Sequence, residues 1–238
     1  LSSAIAPRLW QVLTECLSWR AMAELRVGIL DSGFALSALA GRAFLPRADG
    51  GVDEGSVEND RFGHGSAVAE IITGLAPGAA LLNAQIFGPG GSTSAAAAAA
   101  GLLWLCGEAV DIVTLSFGLL TDRPVLRDAV EAISAVMLGA APARGELVYP
   151  SAYPGVLRVT GDARCSPGEI SHLDTIQSDF GACVRGPSGD GASMAVAHAA
   201  GLLAGHFDAT GARGKAAARA YLESIATYHG PERKIGAG

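Results

Sequence analysis

The chain has 238 residues, half of them hydrophobic and 17% charged, with a formal net charge of −6. That length supports a full layered core, while the negative balance and the lack of a basic stripe exclude nucleic acid as the expected partner. The longest apolar run, 95–106, is too short and too alanine-rich to span a membrane, and Glu108 and Asp111 follow it.

Taken in order, Leu9, Val12, Leu13, Cys16 and Leu17 recur at helical spacing, which predicts an amphipathic helix over 8–23. Gln11 and Glu15 interrupt its apolar character, so this segment is not read as a signal peptide. The four cysteines, at 16, 106, 165 and 183, form no Cys-x-x-Cys pair. They read as buried free thiols, with a Cys165–Cys183 bridge as the alternative. Together these features lead to the expectation of a cytoplasmic protein. LRVGIL (25–30) reads as a buried strand ending in the turn Asp31-Ser32-Gly33. Residues 41–60 are polar and glycine-rich, hence loop. HGSAVAEIITGL (64–75) reads as a helix opening at His64, 79–86 as a second strand, and GPGGSTS (88–94) as a loop. The alanine-rich run then forms a buried helix, VDIVTLSFG (110–118) a third strand, and 123–138 a helix whose apolar end passes into strand. GVLRVTGD (155–162) is a further strand, and DGASMAVAHAAGLLAG (190–205) opens into a helix of small residues. Strands alternating with helices of about a dozen residues predict an α/β fold. Its form is three-layered, a mostly parallel sheet with helices on both faces. No repeat or long linker divides the chain, so one domain over 1–238 is expected, with 1–24 as an N-terminal helical segment.

In such sheets chemistry gathers at the carboxyl ends of the strands. Asp31 stands at one such end, and His64 and Ser193 each stand at a helix start. A serine hydroxyl is a weak nucleophile at neutral pH. It needs a histidine to take its proton, and a buried carboxylate to fix the imidazole tautomer and stabilise its cation. At the head of a helix, Ser193 also gains the positive dipole end and free N–H groups, which favour a developing oxyanion.

Asp31 in VGILDSGF, His64 in FGHGSAVAEI and Ser193 in GASMAVAHAAG, in that order, resemble the subtilisin-like serine proteases. LAPGAALLNAQIF, LSFG (115–118) and YPSAYPGVLRVTG (149–161) extend the resemblance over about 25–205. It implies a serine endopeptidase with Asp31, His64 and Ser193 as the catalytic triad and with a peptide or small protein as partner. It implies no cofactor, no nucleic acid and no membrane. The substrate would pair in extended form with Ser116, Phe117 and Gly118 on one side and with Gly90, Gly91 and Ser92 on the other. Residues 140–145 would line the pocket for the residue before the cleaved bond. Gly191 and Ala192 would let the substrate backbone approach Ser193, and His198 matches a structural histidine inside the helix.

Three departures qualify the resemblance. Where the family places an asparagine that donates to the oxyanion, GAAPARG (139–145) places Ala143. Arg144 or a water would have to substitute for that donor. Ala197 replaces the family's usual proline before the helix histidine, which keeps a transpeptidase or macrocyclase reading open. The stretch TGLAPGA (73–79) lacks the calcium-binding loop of many relatives, so no metal is expected there. LSSAIAPRLW and TGDARC are similar to segments of the subtilisin-like leader-peptide proteases of quinohemoprotein amine dehydrogenase maturation. The resemblance therefore implies limited cleavage of a leader segment. The rival reading is a catalytically impaired peptide-binding module.

Overall fold

A computed structural model describes residues 24–232; the helix expected over 8–23 lies outside the described residues. The strands are β1 (Arg26–Asp31), β2 (Ala40–Pro46), β3 (Val52–Gly55), β4 (Ala80–Gln85), β5 (Ile112–Leu115), β6 (Val136–Ala140), β7 (Val156–Gly161), β8 (Ile170–His172), β9 (Phe180–Ala182) and β10 (Ala226–His229). The helices are α1 (His64–Leu75), α2 (Ala95–Gly107), α3 (Pro124–Ala132), α4 (Ala192–Thr210) and α5 (Lys215–Ser224). The strands form one sheet in the order β10-β8-β9-β7-β6-β5-β1-β4-β2-β3. It is parallel from β9 through β7, β6, β5, β1 and β4 to β2, with antiparallel pairing of β3 at one edge and of β8 against β9 near the other.

The period of two along the central strands divides the core. On β1, Val27 and Ile29 face a cluster built with Val68 and Ile72 of α1 and with Leu203 and Phe207 of α4. Leu30 faces the opposite cluster, with Leu102 and Leu105 of α2 and Leu126 and Val130 of α3. Strands buried on both faces read as continuous apolar runs, and helices cover each face. The fold is thus the expected three-layer α/β arrangement, mostly parallel.

Two glycines set the spacing of the helices. A Cβ at Gly65, in the first turn of α1, would lie 2.1 Å from the Gly33 carbonyl oxygen. A Cβ at Gly201 of α4 would lie 2.9 Å from the Leu75 Cβ. The small residues of α4 therefore let it pack directly on α1.

The segment 41–60 is not all loop: it contains the hairpin of β2 and β3. The hairpin escapes the hydrophobic pattern because it sits at the sheet edge. In β2 only Ala43 and Phe44 are buried, and Asp53, Glu54 and Gly55 of β3 are exposed. Helix 64–75 has the predicted bounds, and the apolar end of 123–138 does become a strand, β6. The alanine-rich helix buries one face only, since Leu103 is 53% exposed. Cys165 and Cys183 are buried free thiols, which removes the disulfide alternative, and Cys106 is only half-buried.

Candidate active site

β1 delivers Asp31 at its carboxyl end, 1% exposed and surrounded by the core. Its Oδ1 accepts the Ser32 backbone N–H at 2.6 Å and meets the His64 Nδ1 at 2.8 Å. An ionised carboxylate only accepts, so Nδ1 carries the proton and Nε2 keeps its lone pair for a partner on the open side. Asp31 Oδ2 is buried without a hydrogen-bond partner. His64 is the first residue of α1, and its side chain is 35% exposed. The hydrogen bond to Asp31 raises the His64 pKa above its ordinary value; burial opposes this, and the charges of Asp31 and Asp60 add to it.

Ser193 lies in the first turn of α4, half-buried, beside Gly191, whose Cα faces open space. The first N–H groups of a helix have no acceptor within it, and Gly191 caps α4 without a side-chain hydrogen bond. The Ser193 N–H is therefore available to an oxyanion. Among the hydrogen bonds of the described residues, none joins Ser193 Oγ to His64. The two helices that carry these residues pack side by side. Serine–histidine bonds of empty sites are often long and close only around a substrate.

A cavity of about 200 Å³ opens beside His64, lined by Asp31, Ser32, Phe62, Phe87, Gly91 and Ser116. Ser116 and Gly91, from the two segments expected to flank a peptide, thus converge on it. Phe62 is 46% exposed and its ring stands over Gly91, 3.3 Å from where a Cβ would be. The Ser116 hydroxyl is buried without a partner. Phe117 is 7% exposed and packs into the core, so only its backbone can meet a ligand. Gly118 is exposed, and the next residue, Leu119, pairs with Tyr149 in an isolated antiparallel bridge. The opposite segment is closed on itself, because Gly88 N donates to Ser92 O and Gly91 N to Gly88 O. Gly90 and Gly91 are exposed at its tip, with fewer free backbone groups than an open strand has. Ala143 and Arg144 are both exposed in the loop after β6. His198 is 6% exposed, with Nε2 against the Arg185 carbonyl at 3.1 Å, Nδ1 buried without a hydrogen-bond partner, and a pKa pushed down by burial.

Sequence reasoning missed Asp60. Its carboxylate accepts from Phe62 N, Gly63 N, Ser32 Oγ, Ser66 N and Ser66 Oγ, at 2.7–3.1 Å. Burial alone would raise its pKa, but the hydrogen bonds from Ser66, Ser32 and Phe62 outweigh burial and hold it below the usual carboxylate value. An acidic residue just ahead of a helix start was the available signal. Phe62 and Phe87 were missed too, since single aromatics in loops carry no pattern.

A model of the subtilase family matches residues 23–238. Subtilisin NAT of Bacillus subtilis subsp. natto is 27% identical, over 90% of this chain and 64% of that protein. The subtilisin of Bacillus pumilus is 27% identical, over 90% and 88%. This chain thus spans just under two thirds of the first relative's length. Two solved structures share the fold. The S41 psychrophilic protease gives a TM-score of 0.63 at 18% identity, covering 91% of this chain and 90% of its own. Sphericase gives 0.63 at 16%, covering 85% and 83%. On the family match over nearly its whole length, the chain belongs to the subtilase family.

Proposed function

We propose that the chain is a serine endopeptidase of limited specificity that removes a leader segment from a peptide or small protein during maturation. Ser193 Oγ attacks the scissile carbonyl while His64 Nε2 takes its proton. Asp31 holds the ring through Nδ1 and stabilises the imidazolium that forms. The tetrahedral oxyanion points at the Ser193 N–H and the positive end of α4. His64 then gives its proton to the leaving amine, and water repeats the sequence on the acyl-enzyme. The substrate runs in extended form along Ser116–Gly118, and an apolar side chain enters the cavity walled by Phe62 and Phe87.

The observation that carries this reading is the 2.8 Å Asp31–His64 pair, buried at its carboxylate end and open at the imidazole. Limited specificity is supported by the missing donor at Ala143, which suits slow turnover of one substrate better than digestion. The likeness of LSSAIAPRLW and TGDARC to leader-peptide proteases supports maturation as the setting, and the scattered cysteines support a cytoplasmic one. Incubation with leader-bearing peptides, read by mass spectrometry, tests the reading. One discrete cleavage that is lost in Ser193→Ala is the expected result; identical products from both proteins refute it.

The exposed Ala143 favours one second reading, a peptide-binding module that keeps the groove without turnover. Peptide binding by a wild-type protein that never cleaves would select it.

A further inference from the structure

We propose that Asp60 is a positioning residue for His64. Its carboxylate builds the N-terminus of α1 and ties it, through Ser32, to Asp31. This rests on the reading of His64 as the general base.

α1 lacks a cap of its own. Its N-cap is Gly63, in the left-handed region at φ 68, with no side chain to accept from the first turn. Helix starts normally recruit a side-chain oxygen for those donors. Asp60 supplies it from four residues before His64: Oδ1 accepts Phe62 N at 3.1 Å and Gly63 N at 2.9 Å, and Oδ2 accepts Ser66 N at 2.9 Å and Ser66 Oγ at 2.7 Å. His64 therefore sits between two segments pinned by one carboxylate. The same Oδ1 accepts Ser32 Oγ at 3.0 Å, and Ser32 Oγ in turn accepts Gly65 N at 3.0 Å. Ser32 also donates its own N–H to Asp31 Oδ1 at 2.6 Å. Ser32 thus bridges an inner carboxylate, which touches the imidazole, and an outer one, which holds the backbone carrying it.

Among the described residues, the charged groups around His64 are few. β1 brings Asp31 and the preceding loop brings Asp60. Glu58 and Arg61 of that loop are exposed and pair with each other at 3.8 Å. The first turn of α4 (Ala192 to Ala195) carries no charge, and the segment after β5 brings only Ser116. A second negative charge at the head of α1 favours the protonated imidazole, and removing it acts in the opposite direction.

The test is Asp60→Asn. Its amide nitrogen would confront N–H donors where an oxygen accepted them, and its charge is gone. With a peptide substrate, kcat should fall by about tenfold to a hundredfold, as for a misplaced catalytic group, with KM within about twofold. The acid limb of kcat/KM should move to lower pH. A purely structural role would lower stability without moving that limb. Unchanged kcat and limb in a folded Asp60→Asn protein overturn the proposal. Should Asp60→Asn fail to fold, Asp60→Glu keeps the charge on a longer arm; it should keep the limb while losing kcat, and full activity would overturn the proposal. If the wild-type protein cleaves nothing, the endopeptidase reading fails on its own. The titration of the His64 ring nitrogens by NMR then decides the matter, a lower midpoint in the variant supporting the proposal and an equal midpoint overturning it.

Discussion

Gly65→Ala measures how tightly the fold sets the candidate base. A Cβ there would lie 2.1 Å from the Gly33 oxygen, 3.0 Å from its carbonyl carbon and 3.2 Å from its nitrogen, all backbone atoms. Gly33 cannot yield easily. Its φ is +92, and the Gln85 amide lies 2.9 Å from where its own Cβ would be while donating to the Ser32 carbonyl at 2.8 Å. Carbon–oxygen contact needs roughly 3 Å or more, so the first turn of α1 must retreat by about 0.9 Å. His64 rides on that turn, and its 2.8 Å bond to Asp31 would stretch beyond hydrogen-bonding range. A misplacement of about 1 Å costs on the order of a hundredfold in rate, and overpacking of this kind about 1–3 kcal/mol of stability. For a chain of this size each kcal/mol lowers Tm by roughly 2–4 °C. Steady-state hydrolysis and a thermal melt read the two effects separately. A Gly65→Ala protein with activity within about twofold of wild type would refute the reasoning.

On the proposed reading of the loop after β6 as the oxyanion loop, Ala143→Asn, which adds an amide donor there, should raise kcat. In a subtilisin, a relative of this chain, loss of such a donor costs about a hundredfold to a thousandfold, so a gain of tenfold or more in peptide hydrolysis is expected. In the proposed mechanism catalysis needs neutral His64, whose pKa is raised by Asp31; the acid limb of kcat/KM should therefore lie above the ordinary imidazole value of 6.5, as a pH profile would show. The same raised pKa makes the Asp31–imidazolium pair stabilising below that ordinary value and lost as pH rises through the raised one. Melts of His64→Ala and wild type should thus differ more at pH 5 than at pH 9. Burial, helped by the nearby Asp162 charge, pushes the Cys165 thiol up to about 11. Native protein at pH 8 should leave Cys165 unalkylated by iodoacetamide, and denatured protein should not.

The central strands and helices were legible because burial writes its period into the sequence. LRVGIL and VDIVTLSFG are apolar on both faces, and HGSAVAEIITGL alternates at helical spacing up to the Ala76 cap. The hairpin of β2 and β3 was illegible for the converse reason, since an edge exposed to water constrains few side chains and its ladder is made by backbone. β8, β9 and β10 are three or four residues long and were not anticipated. Asp31 and His64 were legible as chemistry and do meet. The Asp60 web was not, because all five donors it joins are backbone N–H or hydroxyl groups that any sequence supplies. The segment 88–94 was legible as a loop, but not its internal hydrogen bonds, because glycines announce a turn without saying which amides it consumes.

The central claim is that the Ser193 hydroxyl is activated by His64 and Asp31. Labelling with a fluorophosphonate probe, followed by peptide mapping, tests it most directly. One adduct is expected, on Ser193, absent from Ser193→Ala and slowed by at least about a hundredfold in His64→Ala. A folded wild-type protein that takes no label across pH 6–10, or takes it at another residue, would contradict it.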